Sequence, residues 1–353
     1  MTVAPAPLPA PALAAVTPDH TIRTLPVLVL FPHNRCNCRC LMCDIWRIRQ
    51  VREITLRDLE PHWEAIRALQ VRWVVFSGGE PQMHSDLAAL GRLFRSEGIR
   101  VTLLTAGLLL KPQAASVVQS VDDVIVSLDG PRDVHNEVRG IPKAFERLSE
   151  GVAALHQLRP EMAVRGRCTV QKANHASLRA TVQAAKQLNL NSISFLAADL
   201  SSEAFNRPGG WGLQRQSAIA LSPAEVDQLD REVQALVAEY TKGIASGFVV
   251  ESAEKLRRIV SHFRAHLGQA PAVAPLCNAP WVSSVVEADG TVRPCFFHPA
   301  LGNIHEQSLF TILNSERALE FRRQLDIATN AVCQKCVCSL YLPYLPSLDA
   351  VTG

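Results

Sequence analysis

Long hydrophobic runs are missing from this sequence: it has no stretch of about 18 or more apolar residues, so no segment is expected to span a bilayer. A strong charge of either sign is missing too. Lys and Arg number 36 against 33 Asp and Glu, and the formal charge of +3 is spread along the chain, which argues against a nucleic-acid or anionic-membrane partner. No Lys or Arg precedes Arg23, so the Pro/Ala-rich start lacks the basic region of a secretory signal, and a cytoplasmic location is expected. That start, residues 1–24, reads as a disordered tail. There is no internal repeat and no long low-complexity segment. What remains is a chain of 353 residues, 48% hydrophobic, enough for one large core with a small appended module.

Ten cysteines in an unexported chain do not suggest a disulfide framework, because reducing compartments keep thiols free. Their clustering points to metal binding instead. Cys36, Cys38, Cys40 and Cys43 fall together near the start, while Cys277, Cys295, Cys333, Cys336 and Cys338 collect near the end. Cys168 stands alone and reads as a small core residue.

Six short β-branched runs, at 27–31, 73–77, 101–105, 124–128, 164–170 and 192–196, alternate with segments of helical spacing at 56–69, 86–96, 112–120, 143–158 and 176–188. Strands that are apolar without a two-residue period indicate a parallel sheet covered by helices. Periodicity leaves open whether that sheet is doubly wound or a partial barrel. Residues 203–217 have a loop composition suited to a pocket mouth or a plain surface connection. Ser222-Pro223-Ala224-Glu225 is a strong helix start, and helices are expected over 223–242 and 251–267.

Cys36-x3-Cys40-x2-Cys43 follows directly on the first strand, at the end where α/β folds put their chemistry. Zinc and iron–sulfur clusters both take thiolates. Three thiolates on a four-iron cluster would leave one iron open, whereas zinc sites usually close with four ligands. Ser77-Gly78-Gly79-Glu80-Pro81 follows the second strand, with glycines that let backbone approach a ligand closely.

Together these motifs resemble the radical S-adenosylmethionine (SAM) superfamily over residues 29–200. The resemblance implies a partial (β/α)6 TIM-type barrel over 25–220, with a [4Fe–4S] cluster on Cys36, Cys40 and Cys43. It assigns Gly78, Gly79, Glu80 and Pro81 to the methionyl amino group and Ser127 and Asp129 to the ribose. Arg167 and Asn174 are candidates for the cofactor carboxylate or substrate, and Phe195 for the adenine. Reduction of SAM by the cluster then gives a 5′-deoxyadenosyl radical that takes a hydrogen atom from substrate, chemistry supplied by the cofactor. Cys38 falls outside the three-ligand spacing and is expected to be a free thiol. Arg39, lying between ligands, would raise the cluster potential.

Past a helical connection at 221–270, Cys277 precedes a hairpin signal with Asp289-Gly290 as its turn and Cys295 at its exit. The hairpin gathers half a metal site, and Cys333-x2-Cys336, after a helix over 309–323, supplies the other half; zinc and a [4Fe–4S] cluster both suit four thiolates. The pattern resembles the twitch module, a shortened relative of the SPASM domain, here a small α+β unit at 271–345 followed by a tail at 346–353. It implies one auxiliary [4Fe–4S] cluster on Cys277, Cys295, Cys333 and Cys336, with Cys338 as the alternative last ligand. The expected function is oxidation or rearrangement of a small polar substrate such as a sugar, aminocyclitol or cofactor precursor. The alternatives are a ribosomal-peptide maturase and a non-catalytic electron-transfer protein. An external one-electron reductant such as flavodoxin or ferredoxin is the expected partner.

Overall fold

A computed structural model describes residues 19–343. The tail at 346–353 and residues 1–18 of the N-terminal tail lie outside the described residues. Residues 19–24 correct the tail's boundary, for they are ordered: Ile22 is buried and exchanges hydrogen bonds with the Asn314 amide, and His20 accepts from Arg322 Nε.

The sheet runs through β1 (Val27–His33), β2 (Trp73–Gly78), β3 (Arg100–Thr105), β4 (Asp123–Ser127), β5 (Ala163–Val170) and β6 (Ser192–Ala197). All six expected strands are present. Their spatial order is their sequence order, each parallel to the next. A doubly wound sheet reverses direction at a switch point, and this one does not, so every crossover winds the same way and the sheet curls into a partial barrel. Val74, Phe76, Leu103, Val124, Val126, Val164 and Ile193 are fully buried on the helix side, in one core with Leu90, Phe94, Leu110 and Val117.

The inner side is less apolar than a fully buried parallel sheet would require. At the N-terminal ends of the strands, Asp123 takes Arg100 at 2.6 Å and Arg165 at 3.0 Å, and Thr102 links it to Trp73. A buried carboxylate with two cations is satisfied, so this network closes the barrel floor. The other end is left for function.

On the far side of β1, strand β7 (Ser283–Val286) pairs with it in parallel, from Val27 opposite Ser283 to Leu30 opposite Val286. Strands β8 (Thr291–Arg293) and β9 (Gly302–Asn303) continue antiparallel, with Gly290 at φ 83° in the turn. The C-terminal module thus extends the barrel's own sheet. Its helical stretch is broken at Asn314 and Ser315 into Leu309–Leu313 and Glu316–Gln324, where Ser315 caps the second helix. Among the described residues no helix is long and apolar enough to cross a membrane.

Candidate functional site

The cysteine loop leaves the C-terminal end of β1 and is tied to a helix at Arg132–Arg139 that periodicity did not reveal. Arg39 N–H donates to Arg139 O at 2.9 Å and Leu41 N–H to Val138 O at 3.0 Å. Gly140 ends that helix at φ 62°, and a Cβ there would lie 2.5 Å from Arg39 O, so glycine is required for the loop to dock. Cys36 and Cys43 are half-buried, and Cys38 and Cys40 are buried against Ala106, Leu108 and Ala144. The four thiols form one group: a hydrogen bond from Cys38, helped by the Arg139 charge, pulls Cys40 down to about 7 against its burial, while burial pushes Cys43 up to about 12.

The cation at this loop is Arg139, not Arg39. Arg39 is exposed, whereas the buried Arg139 guanidinium lies 3.5 Å from Cys40 Sγ and 2.5 Å from the Asp129 carboxylate. Sequence gives no sign of a contact between residues 99 apart; the only local hint is Arg139-Gly140 as a helix end.

The Gly-Gly-Glu-Pro turn packs directly on the loop. A Cβ on Gly79 would lie 2.1 Å from Arg35 O, and Glu80 N–H donates to that same carbonyl at 2.7 Å. Glu80 is 1% exposed; its carboxylate accepts from Ala106 N–H and Thr105 Oγ at 2.8 Å each and from Gln82 N–H at 3.2 Å. Burial raises its pKa despite these donors. The side chain braces the end of β2 against the end of β3, which leaves the backbone of Gly78, Gly79 and Pro81 as the part free to meet a ligand.

Three further expectations need correction. Asp129 is wholly buried and committed, with one oxygen on Arg139 and the other accepting Thr169 N–H at 2.9 Å, so its carboxylate is not available to a ribose. Asn174 is buried and bonds to Asp129 O and Thr169 O, a turn residue and not a ligand group. Phe195 is buried in the main hydrophobic core and serves as a packing residue. Ser127 and Arg167 do stand at the barrel mouth, adjacent in register on β4 and β5 with Arg167 exposed. Cys168 is a core residue, as expected.

Residues 199–217 form a strap bolted to the cysteine loop. Arg207 is buried, bonds to Asp199 at 2.6 Å and to Met42 O, and stacks 3.6 Å from the Trp211 ring centroid. Trp211 Nε1 donates to Asp44 at 2.6 Å, Arg215 to Leu41 O at 2.7 Å and Asn206 to Asp44 O at 3.0 Å. The segment is therefore part of the cluster-loop scaffold, more than a surface connection.

In the module, Cys277, Cys295, Cys333 and Cys336 line one cavity of about 340 Å³, counted to its open mouth, with Pro275, Pro280 and Phe297. Among the described residues no three His, Cys, Asp or Glu converge on a point that would hold a single metal ion. Four thiols around a space, in a set made only of sulfur, suit a cluster better than one zinc at about 2.3 Å from each sulfur. Burial pushes Cys295 to about 12 and Cys333 to about 11 and raises Cys336, so iron loading displaces protons here. Cys338 is exposed and does not line the cavity.

Four phenylalanines bridge the two cysteine sites. Phe31, under Gly78, meets Phe296 at 5.7 Å between ring centroids; Phe296 meets Phe205 at 4.7 Å and Phe297 at 5.2 Å. Phe205 O accepts Asp44 N–H beside the first site, and Phe297 lines the second. Glu251, beside β6, is raised to about 7 by burial, with the Arg167 charge opposing.

A singly wound partial barrel with a three-thiol loop at the mouth, joined by its sheet to a four-thiol cavity, defines a two-centre iron–sulfur protein. Residues 30–184 match the Radical SAM superfamily and residues 277–337 the SPASM iron-sulfur cluster-binding domain, and the chain belongs to the radical SAM superfamily with a C-terminal module of that kind. The two domains imply a SAM-binding [4Fe–4S] cluster and an auxiliary cluster, and the seven cysteines fit both. The chain is 29% identical over 158 residues to the AdoMet-dependent heme synthase of Methanosarcina barkeri, a match covering 43% of this chain and 45% of that one. It is 24% identical over 274 residues to the PqqA peptide cyclase of Ruegeria pomeroyi, covering 74% and 65%. The chain thus spans under half the length of the heme synthase. Streptococcus suis SuiB bound to precursor peptide SuiA has the same fold, with TM-score 0.64 and 15% identity over 92% of this chain and 73% of that one.

Proposed function

We propose that the chain is a radical SAM oxidoreductase whose substrate lies between the cysteine loop and the module, and whose auxiliary cluster accepts the electron left on the substrate or anchors it. The observation that carries this reading is the pairing of β7 with β1, which sets the four-thiol cavity beside the strand that delivers the three-thiol loop. Cys36, Cys40 and Cys43 would hold the SAM-binding cluster, and the Gly78–Pro81 backbone with Ser127 would hold SAM. A reduced cluster held there would supply the electron for SAM cleavage, and hydrogen-atom abstraction from substrate would be the cofactor's chemistry. The chain's own work is to fix the loop through Arg139 and the strap, and to keep water from the mouth with its four phenylalanine rings.

Small polar substrates find Arg167 and Glu251 at this mouth. A peptide with an aromatic or apolar side chain uses those groups and the rings Phe31, Phe205 and Phe296 as well, and is the better fit. A relative matched over 74% of this chain is, by its name, a peptide cyclase. The test is anaerobic reconstitution, with about eight irons per chain for two four-iron clusters. Reduced protein given SAM should release 5′-deoxyadenosine; full clusters without that product would end the enzymatic reading. A flavodoxin or ferredoxin is the expected electron source.

A further inference from the structure

The module contains one buried histidine that no motif singles out. His298 is 4% exposed and lines the four-thiol cavity. Its ring Nε2 lies 3.4 Å from Cys333 Sγ, and its backbone N–H, with that of Phe297, reaches the Cys295 sulfur. One residue therefore touches a cysteine from each half of the site, the hairpin and the C-x2-C pair. Its position is fixed: Arg293 Nη1 donates to its carbonyl at 3.1 Å, Glu287 holds Arg293 at 2.9 Å, and Phe321 packs edge-on at 4.9 Å between ring centroids.

We propose that His298 is a positioning residue of the auxiliary cluster, donating Nε2–H to the Cys333 sulfur and holding that cluster's reduction potential up. The direction of the bond follows from the chemistry of the sulfur. A cysteine bound to iron is a thiolate with no proton, so in a loaded site the imidazole must be the donor. A donor at a ligand sulfur draws charge off the cluster and favours the reduced state. An electron acceptor for a substrate radical needs that bias, and the hydrocarbon side chains of Pro275, Pro280, Phe297, Ile327 and Val332 that complete the lining offer no other N–H or O–H donor. This inference rests on the auxiliary-cluster reading above.

The test uses full-length protein with Cys36, Cys40 and Cys43 changed to Ala, so that only the auxiliary cluster gives a signal, followed by an EPR-monitored redox titration. Against that parent, His298→Phe should keep about four irons and shift the midpoint to more negative potential. His298→Gln, which retains an N–H donor, should return most of the shift. Pulsed EPR on protein labelled with 15N-histidine should show a weak nitrogen coupling in the parent that His298→Phe abolishes. An unchanged midpoint in His298→Phe overturns the proposal, as does loss of iron from both variants with a strong nitrogen coupling in the parent, which would make His298 a ligand. A parent that binds zinc or no iron defeats the auxiliary-cluster reading itself, a result distinct from either.

Discussion

The barrel and the module each gather cysteines, but they surround them differently. At the barrel mouth a guanidinium, Arg139, lies against a ligand sulfur and is itself neutralised by Asp129. In the module the sulfurs meet an imidazole and apolar walls, and Arg258 bonds to Cys336 O at 2.8 Å and not to a sulfur. Two of the buried arginines differ in the same way. Arg139 is held by a carboxylate, while Arg322 is held by the carbonyls of His20 and Leu313 and falls to about 10 through burial. The barrel site is built to carry charge, and the module to exclude it.

The largest effect should come from removing cysteines on one side at a time. Replacing Cys36, Cys40 and Cys43 by Ala should abolish 5′-deoxyadenosine formation and leave about four irons in the module. Replacing Cys277, Cys295, Cys333 and Cys336 should remove those irons and spare SAM cleavage, and Cys338→Ala should leave both the irons and the cleavage unchanged. Cleavage that survives the first set, or iron lost with Cys338 alone, would redraw the ligand assignment.

The next largest separates Arg139 from Arg322. Arg139→Met strands the Asp129 carboxylate and should cost about 3–5 kcal/mol in denaturant unfolding, most of it recovered by adding Asp129→Asn. Arg322→Met strands only carbonyls and should cost about 1–3 kcal/mol. Equal costs would mean that the pairing of charge is not what distinguishes the regions. A smaller effect is expected in the strap: Trp211→Phe loses the bond to Asp44 and should cost about 1.5–3 kcal/mol, with the module's iron retained. Iron lost from the module in that variant would show that the strap serves both sites.

Both groupings of cysteines and all six barrel strands are legible in the sequence, because spacing and turn chemistry are local. The single winding of the sheet is not, since the same alternation serves a doubly wound order. The errors share a cause. A polar residue at a strand end has one signature whether it meets a ligand or a distant partner, so Asp129, Asn174 and Glu80 read as cofactor contacts although each is consumed by the scaffold. The Arg132–Arg139 helix escaped notice because its first turns are polar, with Val138 the only apolar residue on a buried face otherwise made by His135 and Arg139. His298 escaped because a histidine three positions after a cysteine carries no meaning until Cys333 is folded beside it.

The smallest effect concerns the barrel mouth beside β6, where Glu251 accepts Phe195 N–H at 2.8 Å and feels the charge of Arg167. Burial raises its carboxyl from 4.5 to about 7, so between those values the folded chain holds a proton that the unfolded chain has released. Stability from this group therefore falls as pH rises from about 4.5 to about 7 and stays reduced above that. Glu251→Gln keeps an acceptor for Phe195 and cannot ionise. It should match the wild type near pH 4.5 and exceed it by about 1–2 kcal/mol at pH 8, the full shift being discounted for partial exposure. Paired unfolding curves at the two pH values measure the difference directly. A gap that does not grow with pH would mean that water or Arg167 already solvates the carboxylate, and that this part of the mouth tolerates charge as well as the Arg139–Asp129 pair does.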